Sequence, residues 1–202
     1  MDKPTATRQC TVMLGDSLTY RFDWRRAVPD KNIHNFGMDG DTTADVLARI
    51  NRVIAFKPDK IFLQIGINDL FGIYCFSGNE EPRINAGLAE IARGHFTICQ
   101  TLLREIPGCV LYICSLAPTA CDFDLRDRIN ENIRTLNRML AKTAEDTGSV
   151  YINLYDKLAD AGGALGPGYG IDGVHLLPAA YAVWLETLLP YLREGEAAYN
   201  TR

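Results

Sequence analysis

Apolar and polar residues fall along this chain in a repeating order. Five short segments read as strands: Cys10 to Gly15, Asn32 to Phe36, Lys60 to Ile65, Val110 to Leu116 and Val150 to Leu154. The third is nearly all apolar, as expected of a strand covered on both faces. Between the strands the period changes to that of helices. Val46, Leu47, Ile50, Val53 and Ile54 share one face of a helix that Pro58 ends. Leu88, Ile91, His95, Ile98 and Leu102 form a stripe within Ala86 to Arg104. Ile129, Ile133, Leu136 and Leu140 form another within Arg126 to Asp146, closed by Gly148. Pro178 to Leu192 reads as the last helix, and the polar end from Arg193 as loose.

The connections are less regular. Thr19 to Arg26 reads as a short helix or an ordered loop. Thr42 and Asp45 have the spacing of a capping box. Leu70 to Arg83 is predicted to be irregular, and Ala161 to Gly173 a glycine-rich loop. Strand and helix thus alternate five times, which predicts an α/β fold: a parallel sheet with helices on both faces. No repeat, linker or second domain is visible, so a single domain over residues 1–202 is expected.

Composition narrows the function class. The chain is 47% hydrophobic and 23% charged, with a formal charge of -4 and no basic run, which argues against a nucleic-acid partner. No apolar run approaches the roughly 18 residues of a membrane span. The start, Met1 to Gln9, is polar, so the expected location is cytoplasmic, or secreted if a signal was trimmed. The six cysteines include Cys10, Cys109 and Cys114 in or beside apparent core strands and are expected as reduced thiols. With no Cys-x-x-Cys or His-x-x-x-His, no metal site is expected.

The chemistry gathers at strand ends. Gly15-Asp16-Ser17-Leu18 follows the first strand, and open α/β sheets bind ligands just outside the carboxyl ends of their strands. A serine there needs a base, and the base an orienting group. Asp172-Gly173-Val174-His175 supplies both residue types: Asp172 can hold Nδ1 of His175 and leave Nε2 to face Ser17. Read alone, this pair is a weak signal, and a capping aspartate beside a surface histidine is the stronger reading. Acyl transfer also needs donors aimed at a developing oxyanion. The Ser17 N–H, the Gly40 N–H and the amide of Asn68 can serve, although each of the latter two has an ordinary turn reading.

Taken together, the sequence resembles the SGNH (GDSL) hydrolase family. Gly15-Asp16-Ser17-Leu18 matches its nucleophile block, Gly40 its glycine block, Asn68 in Gly66-Ile67-Asn68-Asp69 its asparagine block, and Asp172 with His175 its final block. One departure is that Leu176 and Leu177 precede Pro178, where many members have proline right after the histidine. The resemblance implies a flavodoxin-like three-layer α/β/α sandwich with strand order 2-1-3-4-5. It implies cleavage of a small or medium acyl ester, such as a carbohydrate O-acetyl ester, a short-chain ester or a lysophospholipid, without cofactor or metal. In that scheme Ser17 attacks, His175 is base then acid, Asp172 holds His175, and Ser17, Gly40 and Asn68 form the oxyanion hole. The alternative is a catalytically silent module of the same fold that binds a small ligand in the same cleft. The absence of a large insertion to form a lid leans toward small or exposed esters.

Other signals carry less. Gly168-x-Gly170-x-x-Gly173 has the dinucleotide pattern without its strand-helix setting, and no Gly-x-Ser-x-Gly elbow occurs. His95 reads as a core histidine, and His34 has no evident partner. Gly37 reads as a structural turn glycine. Asp69 either positions Asn68 or caps nearby backbone. Phe71, Ile73, Tyr74 and Phe76 either wall an acyl pocket, pack as satellite core, or meet a partner subunit.

Overall fold

The computed structural model describes residues 9–76, 80–121 and 125–194. Five parallel strands, β1 (Cys10–Gly15), β2 (Asn32–Gly37), β3 (Lys60–Gln64), β4 (Val110–Cys114) and β5 (Val150–Ile152), lie in the order β2-β1-β3-β4-β5. This is the flavodoxin-like order expected. The helices are α1 (Ser17–Tyr20), α2 (Trp24–Ala27), α3 (Thr43–Ala48), α4 (Ile50–Phe56), α5 (Ile67–Phe76), α6 (Glu81–Glu105), α7 (Arg126–Thr147), α8 (Tyr155–Leu158) and α9 (Pro178–Arg193).

The strands sort their side chains between two cores because successive residues point to opposite faces. Val12, Leu14, Ile61, Leu63, Leu111 and Ile113 meet the stripes of α3, α4, α6 and α7. Met13, Phe62, Tyr112, Cys114 and Ile152 face the other way, against α1, α2 and α9. On that side Phe62 and Tyr112 stack at 4.4 Å, and Trp24 meets Trp184 edge-on at 5.4 Å. The three layers follow directly from strands with two apolar faces.

The register sets the functional rim. Gly15 pairs with Gly37 on one side and Gln64 on the other, so β1, β2 and β3 end level. Glycine is required there by close approach. A Cβ on Gly15 would lie 2.2 Å from the Gln64 carbonyl oxygen, and one on Gly37 2.3 Å from the Tyr20 nitrogen. Gly37 is therefore the structural glycine expected.

Several expectations change. The helix read through Val46 to Ile54 is two helices, broken at Arg49, whose φ and ψ of -109° and 9° leave the helical region. It also ends before Pro58, at Phe56, with Lys57 left-handed at φ 49°. The stretch expected to be irregular is largely helical. Residues 67–76 form α5 and α6 begins at Glu81, with Pro82 in its first turn where no backbone donor is needed. Residues 77–79 of that stretch, and the end from 195, lie outside the described residues. Strands β3, β4 and β5 stop one to two residues earlier than the apolar runs, as those runs bend into the rim loops. All six cysteines carry free thiols. Among the described residues, no helix is long and apolar enough to cross a membrane.

A buried lysine ties the sheet to the last helix. Lys60, at the start of β3, is 2% exposed and donates from Nζ to the carbonyls of Tyr191 at 2.8 Å and Glu194 at 2.6 Å. A cation at the carboxyl end of a helix complements both its unpaired carbonyls and its dipole. Lys60→Met keeps the apolar stem and removes those donors. Its expected cost is roughly 1–3 kcal/mol of stability, read as a lower urea midpoint. A midpoint equal to wild type would show that the carbonyls find other donors.

Candidate active site

Ser17 opens α1 directly after the Gly15 turn and is 5% exposed. The preceding Asp16 caps the helix, its Oδ1 accepting from the Leu18 N–H at 3.0 Å. Ser17 Oγ lies 3.1 Å from Nε2 of His175, a residue 158 positions away. His175 Nδ1 lies 2.6 Å from Asp172 Oδ2. The other carboxylate oxygen of Asp172 accepts from the main-chain N–H groups of Val174 at 3.0 Å and His175 at 2.8 Å. The carboxylate is thus locked against its own turn while it holds the ring. The structure brings all three residues together as expected, and the two leucines before Pro178 leave this contact intact.

Burial pushes the Asp172 carboxyl upward, but the His175 side-chain bond and the two main-chain donors outweigh it, giving a pKa of about 2. Asp172 is therefore anionic across the neutral range. The turn is anchored from outside. Gly173, at φ +85°, packs so closely that a Cβ would lie 2.4 Å from the Cys121 nitrogen. Its carbonyl accepts from the Ala120 N–H and the Thr119 hydroxyl, both at 2.8 Å. Thr119 is in turn held by Asn130 of α7, which donates to its carbonyl and accepts from its N–H. The sequence reading missed Thr119 and Asn130. Buried polar residues in a loop and on a helix stripe were the only signal.

The second group of donors lies on the loops after β2 and β3. Gly40 sits at φ +81° in the turn from Met38 to Asp41, where left-handed backbone favours glycine. Met38 donates to the Gly15 carbonyl at 3.0 Å, so this turn abuts the one that carries Ser17. The Asn68 amide donates one hydrogen to the Asp41 carbonyl at 2.9 Å, and Asn68 lines the same cavity as Ser17. Arg49 was also missed. It donates to the Asp41 carboxylate at 2.6 Å and to the Gly15 carbonyl at 3.2 Å, which accounts for the helix break at that residue. Asp69 accepts from the Thr43 N–H at 3.0 Å and hydroxyl at 2.6 Å, so it caps backbone, but the start of α3 and not its own loop. Thr42 and Asp45 form the capping box expected.

The remaining histidines are structural. His95 is fully buried with Nε2 2.9 Å from the Ile65 carbonyl, and burial lowers its pKa to about 4. His34 does have partners, Asn32 two residues back on the same face of β2 and Arg25 of α2, the second visible only once strand and helix are packed.

A cavity of about 770 Å³ opens at Ser17. Asn68, Asp172 and His175 share its lining, with Phe71, Tyr74 and Cys75 of α5, Cys121, Leu125, Ile129 and Val174. Phe71 and Tyr74 thus line it as one reading allowed and, like Ile73 beside Gly87, also pack against the core as another did. The Phe76 side chain lies outside the described residues.

Asp16 carries an electrostatic cost. It is fully buried, its Oδ2 has no hydrogen-bond partner among the described residues, and its pKa rises to about 7. Burial is the main cause, opposed by the Leu18 N–H and reinforced by Asp69 and Asp41. A carboxyl raised in the folded state stabilises the fold at low pH and loses that contribution as pH climbs through the folded value. Stability should therefore fall by roughly 2–3 kcal/mol from this group between pH 5 and 8. Asp16→Asn should flatten that fall in urea midpoints taken across the same range. An equally steep fall in the variant would assign it to other groups.

Comparison with known proteins completes the picture. Residues 13–183 match the model of the GDSL-like lipase/acylhydrolase family. An acetylxylan esterase of Geobacillus stearothermophilus is 27% identical over 120 residues, covering 59% of this chain and 52% of that protein. The chain thus spans about half the length of the curated relative it matches. A Streptococcus pneumonia protein described as a candidate platelet activating factor superposes with a TM-score of 0.77 at 24% identity, over 94% of this chain and 86% of that one. A GDSL-like lipase of Bacteroides thetaiotaomicron does so at 0.72 and 19% identity, over 96% and 92%. At such identities these structures establish the shared fold.

Proposed function

The chain belongs to the GDSL-like lipase/acylhydrolase family, and from that membership we propose that it is a serine esterase cleaving a small or medium acyl ester. The observation that carries the proposal is the unbroken path from Ser17 Oγ through the His175 ring to the Asp172 carboxylate, with steps of 3.1 and 2.6 Å. A serine hydroxyl is a weak nucleophile until a base takes its proton. His175 Nε2 is within reach of that proton, and the Asp172 anion stabilises the imidazolium that results.

Ser17 Oγ then attacks the ester carbonyl, and the carbonyl oxygen becomes an anion. The N–H groups of Ser17 and Gly40 and the free hydrogen of the Asn68 amide receive it. Collapse expels the alcohol, which takes the proton from His175, and leaves an acyl-enzyme on Ser17. Water, deprotonated by the same imidazole, releases the acid and restores the hydroxyl. The named relative suggests a carbohydrate O-acetyl ester as one candidate substrate, beside short-chain esters and lysophospholipids.

Ser17→Ala should abolish hydrolysis of p-nitrophenyl esters and labelling by a fluorophosphonate. Asn68→Ala should lower kcat by roughly 10²–10³ if its amide receives the oxyanion. Labelling of the Ser17→Ala protein would overturn the proposal in favour of another nucleophile.

The pH profile separates the two acids. Asp172, with its pKa held at about 2, stays ionised throughout the working range and adds no limb there. His175 must be neutral to act as base, so kcat/KM should rise from acid toward neutral pH. The rise should persist in Asp16→Asn. A flat profile from pH 5 to 8, or one that Asp16→Asn removes, would take His175 out of the role.

A further inference from the structure

We propose that the cavity beside Ser17 binds the acyl part of the substrate as a medium-length alkyl chain, hexanoyl to decanoyl, laid along α5. This rests on the esterase reading above and sharpens its substrate class. It turns the balance away from acetyl groups on sugars, and away from the small esters suggested by the lack of a lid.

The argument begins with the order of residues on α5. Asn68, Phe71 and Cys75 are three and seven positions apart, which puts them on one face of the helix. All three line the cavity. At 1.5 Å per residue the stripe from Asn68 to Cys75 is about 10 Å long. Its first member is the amide proposed to receive the oxyanion. A carbonyl held between Ser17 and Asn68 therefore has its acyl tail directed along an apolar track, past Phe71 toward Cys75.

The opposite wall agrees. Leu125 and Ile129 come from the start of α7, and Val174 from the turn that carries His175. Two polar groups of the wall are tied to neighbouring residues. The Tyr74 hydroxyl oxygen accepts from Asn132 at 2.5 Å, and Cys121 Sγ lies 3.0 Å from the Thr119 hydroxyl. Among the described residues, the other polar side chains at the cavity are Ser17, Asn68, Asp172 and His175 at the reacting end and the Cys75 thiol at the far end. A site that reads sugar hydroxyls needs several donors and acceptors to meet them, and a wall dominated by Phe71, Leu125, Ile129 and Val174 selects chiefly by apolar contact. A volume of about 770 Å³ lies in the range of pockets that enclose whole small molecules, far beyond an acetyl methyl. Each methylene moved from water into such a wall favours the longer ester by about fourfold.

The test compares p-nitrophenyl acetate, butyrate, octanoate and palmitate with an acetylated xylo-oligosaccharide, and measures binding of acetate and decanoate to the Ser17→Ala protein. Octanoate should exceed acetate at least tenfold in kcat/KM, and decanoate should bind the variant where acetate does not. Cys75→Trp blocks the far end of the track and should lower the octanoate-to-acetate ratio at least tenfold. Alkylation of Cys75 in the folded wild type by hexyl methanethiosulfonate should do the same, with Cys75→Ser as the unreactive control. A preference for acetate or the acetylated sugar, with Ser17 labelled by a fluorophosphonate, would overturn the acyl track and leave the esterase standing. Decanoate binding with neither labelling nor turnover would keep the track and overturn the esterase. Absence of decanoate binding together with absence of turnover would overturn both.

Discussion

The carbonyl oxygen of Gly15 is the point at which the site is tied together. It accepts the Met38 N–H at 3.0 Å and the Arg49 guanidinium at 3.2 Å. The first bond joins the turn bearing Ser17 to the turn bearing Gly40. The second brings in Arg49, which also grips the Asp41 carboxylate, while the Asp41 carbonyl holds the Asn68 amide. Three loops that follow three different strands are thereby held by one oxygen and one guanidinium. The arrangement works only because β1, β2 and β3 end level and because Gly15 and Gly37 let α1 lie against them. A rigid sheet edge with fixed loop-to-loop bonds is the kind of support that preorganised donors require.

That support crowds negative charge. Asp16, Asp41 and Asp69 all sit behind the loops, and each is handled differently. Asp41 is neutralised by Arg49. Asp69 is stabilised by the hydroxyl and N–H of Thr43, though burial still raises its pKa. Asp16 has a single donor and the deepest burial, so it is the one that moves toward the neutral form. A carboxyl with one hydrogen bond and no cation is cheapest when protonated. Near pH 7 the residue next to Ser17 thus carries only part of a negative charge.

The sheet and the residues proposed to react were legible in the sequence because both are written locally. The apolar runs of β1 and β3 are buried on two faces, and the motif residues stand at their ends. What was illegible is non-local or contradicts propensity. Helix α5 was hidden by Gly72 and by aromatic residues at Phe71, Tyr74 and Phe76, which favour helix weakly. Its folding follows from the burial of Leu70 and the packing of Ile73 against the core. Arg49 sits off the apolar stripe of its segment, and nothing nearby indicates that it reaches Asp41 and Gly15. Thr119 and Asn130 are ordinary polar residues until the fold sets them beside Gly173.

The last of these contacts couples two properties that are usually treated apart. Asn130 fixes Thr119, Thr119 holds the Gly173 carbonyl, and Gly173 lies between Asp172 and His175. Its neighbour Ile129 lines the cavity. Helix α7 therefore sets both the aim of the imidazole and one wall of the pocket. A rotation or shift of α7 that reshapes the wall also moves the Thr119 anchor, and the 3.1 Å contact to Ser17 moves with it. Helix α5 is tied to the rim through Asn68 and Asp69 at its start and to α7 through Tyr74, whose hydroxyl accepts from Asn132, while Phe71 and Cys75 face the cavity. Variation in what the pocket accepts is mechanically cheaper at Phe71 and Cys75 than on α7. The division suits an architecture in which the α7 side keeps the Ser17, His175 and Asp172 contacts in register and the α5 side is the adjustable wall.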